Sequence, residues 1–166
     1  AVTVLDDVGI TTGTGAAGMD LIVISSTVSS GNISTYYRDS AVPVVVWEDA
    51  AFDEFRMTLD GAAYRGGLAG QTDLAIIDAV HPLAGGLTGT VSPFWTGTSM
   101  RWTAPTAAAT GAIKVATQVA DPAKYTILGY DTGAVMENGF IAPARRVGIF
   151  MSDDGAVFLT TNGLTL

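Results

Sequence analysis

Two uninterrupted apolar runs constrain the fold of this chain more than any other feature of its sequence. Residues 20–26 read Asp-Leu-Ile-Val-Ile-Ser-Ser, and residues 42–47 read Val-Pro-Val-Val-Val-Trp. A strand with one solvent face alternates apolar and polar side chains, whereas a continuous apolar run is typical of a strand covered on both faces, as in a parallel sheet. Both runs therefore predict buried strands of a mainly parallel sheet.

The segments that follow these two strands predict short helices. Asn32 can cap a helix on which Ile33 and Tyr37 recur at helical spacing. Glu48, directly after the second run, can begin another helix because acidic side chains are favourable at helix amino termini. Strands and helices that alternate with short connections are typical of α/β proteins.

From about residue 61 the chain becomes strand-rich. Four glycines between residues 61 and 70 interrupt any long helix, and the later apolar segments are short. Further strands are predicted at residues 74–77, 91–95, 100–102, 112–116, 125–130 and 147–151, with a hairpin around residues 134–136, and residues 1–5 also read as a strand. We expect one α/β domain over residues 1–166, with a mainly parallel sheet, few short helices and a strand-rich C-terminal half.

The charge balance argues against two classes of partner. The chain carries 16 acidic and 8 basic side chains, a net charge of −8 that repels nucleic acid. The one adjacent basic pair, Arg145 and Arg146, we interpret as a solvated strand edge or an internal ion pair. No run approaches the roughly 20 apolar residues that span a bilayer. We therefore expect no nucleic acid and no membrane insertion.

The residue types that are scarce or missing limit the chemistry. The chain has no cysteine, which excludes disulfides, thiolate metal sites and a cysteine nucleophile. It has one histidine, His81, too few for the common zinc sites, and no Asp-x-Asp-x-Asp-Gly calcium loop. We expect neither a metal site nor a cofactor.

Taken in order, several segments resemble the class I glutamine amidotransferase-like superfamily, and ThuA-like domains in particular. They are a first strand that ends in Asp6-Asp7, the strand at 20–26, the strand at 42–48 with a helix directly behind it, His81-Pro82-Leu83, and residues 142–148 before the last strand. The resemblance covers nearly the whole chain and rests on the order of the segments. It implies a flavodoxin-like sheet.

This chain departs from that superfamily in two ways. Its catalytic relatives present a cysteine on a tight elbow after the third strand, where this chain has Val46-Trp47-Glu48-Asp49, so glutaminase activity is excluded. Such domains also begin with a central strand and helix before the strand seen here at residues 1–5, and they often close with a helix. We expect a fragment of a longer protein, or a first strand supplied by another chain or another part of the fold.

Four side chains are candidates for ligand binding: Asp6, Asp7, Glu48 and His81. The carboxyl ends of parallel strands are where α/β sheets bind ligands, so Asp6, Asp7 and Glu48 are expected to meet at one rim. Glu48 and His81 are the candidate catalytic residues, as general base and titrating group. The structural alternatives are a helix N-terminal acid for Glu48 and a loop-fixing hydrogen bond for His81.

These features favour a non-catalytic binding, structural or assembly domain of a secreted or cell-surface bacterial protein. The alternative is a ThuA-like hydrolase or carbohydrate-processing enzyme that uses Glu48 and His81. The expected partners are other domains of a longer chain or further copies of it, since a mean hydropathy of +0.38 suits surface buried between subunits. A carbohydrate is a further candidate if Trp47, Trp95 and Trp102 are exposed for stacking, although tryptophans beside strands more often lie in a core.

Overall fold

Nine strands form one mixed sheet in the computed structural model, which describes residues 2–166. The strands are β1 (Ile22–Ile24), β2 (Val44–Val46), β3 (Arg65–Gln71), β4 (Leu74–Ile76), β5 (Gly89–Val91), β6 (Thr98–Thr103), β7 (Ile113–Gln118), β8 (Tyr125–Tyr130) and β9 (Arg146–Ile149). The α-helices are α1 (Ser30–Ile33) and α2 (Thr161–Thr165), and 3₁₀ turns occupy Gly13–Ala16, Asp49–Ala51, Pro82–Ala84, Glu137–Gly139 and Asp153–Phe158. No helix within residues 2–166 has the length and apolar character needed to cross a bilayer.

Parallel pairing is confined to one end of the sheet. The order is β1-β2-β9-β8-β7-β4-β5, and β6 pairs with both β8 and β3. Strands β1, β2 and β9 are parallel to one another, whereas every other pair is antiparallel. The larger part of the sheet is therefore an antiparallel structure to which a parallel edge is attached.

The predicted mainly parallel, flavodoxin-like α/β fold is wrong. The described helices are single turns or little more, too short to be the crossover helices that join parallel strands in such folds. The apolar runs correctly indicated strands, but only β2 is largely buried, since Val23 of β1 is 48% exposed. An apolar run also does not reveal strand direction. Direction depends on partners, and β2 takes β9 as its parallel neighbour from the other end of the chain.

Most of the predicted strands exist, with shifted ends. The runs at 20–26 and 42–47 contain β1 and β2, and the segments at 74–77, 100–102, 112–116, 125–130 and 147–151 overlap strands of the sheet. The predicted strand at 91–95 is displaced, because β5 ends at Val91. Residues 2–5 form no strand and are exposed, and residue 1 lies outside the described residues.

Strand β3 was missed because its sequence is rich in glycine. Glycine normally weakens a strand, yet here it permits close packing against β6. A Cβ atom on Gly66 would lie 3.3 Å from the ring of Trp102, and one on Gly67 would lie 2.8 Å from Ser99 Oγ. The glycines of this segment thus serve a strand pair that is invisible until β6 is in place.

Both faces of the sheet are covered by apolar side chains. The first core cluster includes Ile24, Ile33, Val44, Val46, Phe52, Phe55, Met57, Leu128 and Tyr130. The second core cluster includes Leu74, Ile76, Phe94, Met100, Val115, Ile127 and Phe150. Adjacent residues of β8, Ile127 and Leu128, belong to different clusters, as expected for a strand whose successive side chains point to opposite faces.

Candidate functional site

The parallel strands bring three polar segments to one edge of the sheet. Val46 of β2 pairs with Ile24 of β1 and with Gly148 of β9, so the residues that follow the three strands lie side by side. We call these residues, 25–26, 47–49 and 150–153, the carboxyl edge. In α/β sheets this is where ligands usually bind, which makes it the first candidate site.

Asp153 connects the three segments of the carboxyl edge. Its Oδ1 accepts hydrogen bonds from Ser25 Oγ at 2.8 Å and from Trp47 Nε1 at 3.2 Å, and its main-chain N–H donates to Ser26 Oγ at 2.9 Å. Burial opposes the charged form, but the hydrogen bonds with Ser26, Ser25 and Trp47 outweigh it and lower the pKa of Asp153. The carboxylate is therefore an ionised acceptor that holds β1, β2 and β9 together at their ends.

Glu48 is nearly buried and caps the 3₁₀ turn that follows β2. Its side chain is 8% exposed, and Oε1 accepts a hydrogen bond from the main-chain N–H of Ala50 at 3.0 Å. Burial raises the pKa of Glu48; the charge of nearby Asp49 adds to the shift, while the Ala50 hydrogen bond and the charge of Arg101 oppose it. These contacts are those of an acidic residue at a helix N-terminus, which is the structural alternative predicted for Glu48.

An ion pair beside Glu48 links the same turn to the antiparallel part of the sheet. Asp49 Oδ1 lies 2.6 Å from a terminal nitrogen of Arg101 in β6, and both side chains are mostly buried. Asp49, Arg101 and Asp153 were not among the predicted site residues. Polar residues after each apolar run were a usable signal, but Arg101 lies in the middle of a strand and nothing local marks it.

Asp6 and Asp7 do not join Glu48 in a shared cluster of carboxylates. Asp7 Oδ2 accepts hydrogen bonds from the main-chain N–H of Ser29 at 2.7 Å and from Asn32 Nδ2 at 3.0 Å, and these bonds lower its pKa. Asp6 Oδ1 accepts from the N–H of Val8 at 3.0 Å. Asn32 was predicted to cap a helix, but it lies inside α1 and donates to Asp7 instead.

His81 lies near the opposite ends of the strands from Glu48, where β8 ends and β9 begins. Its Nδ1 accepts a hydrogen bond from the N–H of Leu83 at 3.2 Å, which caps the turn Pro82–Ala84. The imidazole lines a cleft of about 320 Å³, which we call the His81 cleft. The cleft is also lined by Leu83, Ile113, Gly129, Tyr130, Asp131, Arg145 and Val147.

The register of β9 shows how far apart the two candidates lie. The His81 cleft is where β8 ends and β9 begins, since Tyr130 pairs with Arg146, whereas Glu48 follows β2 beyond the other end of β9. The four residues of β9 alone span roughly 13 Å. The structure therefore does not bring the carboxylate of Glu48 and the imidazole of His81 together.

The tryptophans do not offer a common stacking surface. Trp102 is 6% exposed, and Lys124 Nζ lies 4.6 Å from its ring centroid. Trp47 is half-buried and donates a hydrogen bond to Asp153. Of the three, only Trp95 is largely exposed, and its ring packs edge-on against Phe158. Among residues 2–166, no three His, Asp or Glu side chains are grouped as metal ligands would be.

The chain matches no protein-family model, no curated protein and no solved structure. Its resemblance to the amidotransferase-like superfamily stays a prediction. The function is accordingly inferred from the carboxyl edge, the His81 cleft and the surface around β1.

Proposed function

We propose that this chain is a non-catalytic binding or assembly domain of a secreted or cell-surface protein. The observation that carries the proposal is the separation of Glu48 and His81 at opposite edges of the sheet. A general acid and a general base that serve one reaction must both reach the same substrate through direct or single-water hydrogen bonds.

The carboxyl edge supports the same proposal through its hydrogen bonds. Glu48 accepts from a main-chain N–H, Asp49 pairs with Arg101, and Asp153 accepts from Ser25 and Trp47. Each carboxylate has a structural partner, which accounts for its presence without a substrate. The acidic, lysine-poor composition supports the secreted or cell-surface location.

The alternative function is hydrolysis or carbohydrate processing by a ThuA-like enzyme that uses Glu48 and His81. One observation favours it: burial raises the pKa of Glu48, and a raised carboxyl pKa is common among the acid–base groups of active sites. The same shift follows from burial alone, so it does not distinguish an acid catalyst from a buried turn cap.

The two functions are distinguished by assaying hydrolysis of chromogenic glycosides and esters with the unaltered chain and with Glu48→Gln and His81→Asn. The glutamine carbonyl can still accept from Ala50, and the asparagine carbonyl can accept from Leu83, so both variants are expected to fold. We expect no turnover above the buffer rate for any of the three proteins. Turnover that disappears in both variants would establish the enzyme and refute the non-catalytic domain.

A further inference from the structure

A second cleft, larger than the His81 cleft, lies beside β1. It has a volume of about 560 Å³ and is lined by residues of the segment 2–10 and of β1, and we call it the N-terminal cleft. Its walls include Val2, Leu5, Ile10, Met19, Leu21 and Val23. Of these, Val2 is 92% exposed, and Leu5, Leu21 and Val23 are about half exposed. Apolar side chains that crowd one open cleft indicate a binding surface, whereas scattered ones would not.

The main chain along this cleft is an unpaired strand edge. The N–H of Ile22 donates to the Pro43 carbonyl at 2.9 Å, and the Ile24 carbonyl accepts from Trp47 N–H at 3.1 Å, so these two residues face β2. In a parallel pair, the residue between them directs its N–H and C=O to the other side. Val23 therefore points both groups away from β2, where no strand of residues 2–166 pairs with β1. Such an edge is a template for another strand.

The residues that line the N-terminal cleft favour a single strand as its occupant. Val2, Leu5 and Ile10 line it together with β1, so an incoming chain in the cleft contacts both segments. A lone extended segment can do so, whereas the edge strand of a folded second copy would bring its own domain against residues 2–10.

The charge of the cleft indicates which residues flank the apolar part of the strand. Asp7 and Asp20 are among its lining residues, and no lysine or arginine is. An occupant with basic residues beside its apolar segment would meet carboxylates of opposite sign, which favours association and suppresses acidic competitors.

We propose that the N-terminal cleft binds an extended strand of a partner polypeptide, with apolar side chains in the cleft and basic residues at its ends. The strand pairs with β1 through the N–H and C=O of Val23, a mode in which main-chain hydrogen bonds give affinity and side-chain pockets give specificity. This inference rests on the proposed function and names the partner of the binding or assembly domain.

The probes are short synthetic peptides in which Val, Ile or Leu alternate with Thr between terminal lysines. Isothermal titration calorimetry should detect binding with a negative heat-capacity change, because apolar surface is buried. Hydrogen exchange of the Val23 amide should slow when the peptide is present. N-methylation of the peptide amides that face β1, which removes their donors, should weaken binding by at least about tenfold.

Substitution of Val23 tests the same hydrogen bonds on the protein. Val23→Pro removes the outward N–H and leaves the bonds of Ile22 and Ile24 to β2, a position at which an edge strand tolerates proline. We expect it to lose at least about tenfold in peptide affinity, whereas Val23→Thr, which keeps the N–H and changes only the side chain, should lose clearly less. Circular dichroism checks whether Val23→Pro folds. If it does not fold, the comparison of N-methylated with parent peptides tests the proposed strand pairing.

Three outcomes would overturn the proposed strand. They are no binding by any alternating peptide, equal binding of N-methylated and parent peptides, and reversible dimerisation in sedimentation that Val23→Pro abolishes, which would make a second copy the occupant. None of these touches the proposed function, since that proposal fails only through Glu48- and His81-dependent turnover.

Discussion

Arg146 donates hydrogen bonds to five main-chain carbonyls although its side chain is fully buried. The acceptors are the carbonyls of Arg38, Ser40, Val42, Ala144 and Arg145. Burial lowers the pKa of Arg146 to about 10, which still leaves the guanidinium charged at neutral pH. The sequence suggested a solvated edge or an ion pair for the Arg145-Arg146 pair. Arg145, which pairs with Asp131 at the surface, fits that interpretation, but Arg146 does not.

Replacement of Arg146 by Met should destabilise the protein severely. The thioether fills part of the space but leaves main-chain carbonyls buried without donors, so we expect the free energy of unfolding to fall by at least about 3 kcal/mol. Urea unfolding followed by tryptophan fluorescence measures the change. The control is Arg145→Met, which removes an exposed ion pair and should cost less than about 1 kcal/mol. Similar losses for the two variants would show that the five hydrogen bonds contribute little.

At the scale of elements, β9 joins the parallel edge to the antiparallel part of the sheet. It pairs with β2 in parallel and with β8 in antiparallel register. Gly148 lies at the crowded centre of β9, where an added Cβ atom would be 3.0 Å from Phe52 Cε1 and 3.2 Å from Met57 Cε. Since Phe52 and Met57 are fully buried, they have little room to move.

Gly148→Ala should therefore destabilise the protein by overpacking the first core cluster, by about 1–3 kcal/mol. The matched control is Gly129→Ala in the neighbouring strand β8, where the nearest atom to the new Cβ would be Leu83 Cδ1 at 3.4 Å. That contact is ordinary, and the loss of backbone freedom in the unfolded chain can offset its effect, so a change within about 1 kcal/mol is expected. Thermal unfolding of both variants provides the comparison, and a stabilised Gly148→Ala would contradict close packing at β9.

Across the whole molecule, the protection of main-chain amides against hydrogen exchange is expected to decrease from the centre of the sheet towards β1. Strand β8 is hydrogen-bonded on both sides, by β7 and β9, and it contributes to both core clusters. Residues 2–5 have no strand partner and are exposed. The stability of the fold is therefore uneven, with the weakest part beside the N-terminal cleft.

Native-state hydrogen exchange measured by NMR tests this gradient. Amides of β8 should exchange slowest and those of residues 2–5 fastest. Neighbouring amides within β1 form an internal control, because Ile22 donates to Pro43 whereas Val23 faces the open cleft. We expect Ile22 to exchange at least about tenfold more slowly than Val23. Equal rates for the two amides would mean that the outer edge of β1 is already paired.

Local patterns predicted several parts of the fold because they report on burial. The continuous runs located β1 and β2, and shorter apolar segments located β4, β6, β7, β8 and β9. Patterns failed where the pairing partner decides the structure. Residues 2–5 are mostly apolar but have no strand to pair with, and β3 is rich in glycine because β6 packs closely against it. For the candidate site, Glu48 and His81 were recognisable as residues, but their placement at opposite edges depends on the register of β9.

By itself the sequence determined which chemistry is closed to this chain and where most of its strands lie. A chain without cysteine has no thiolate, and the two continuous apolar runs mark the strands β1 and β2. Only the tertiary structure decided strand direction, the partners of Glu48 and Asp153, and the burial of Arg146. These depend on contacts between segments that are far apart in the chain, such as β2 with β9, and such contacts are selected by packing of the whole molecule and not by any local sequence pattern.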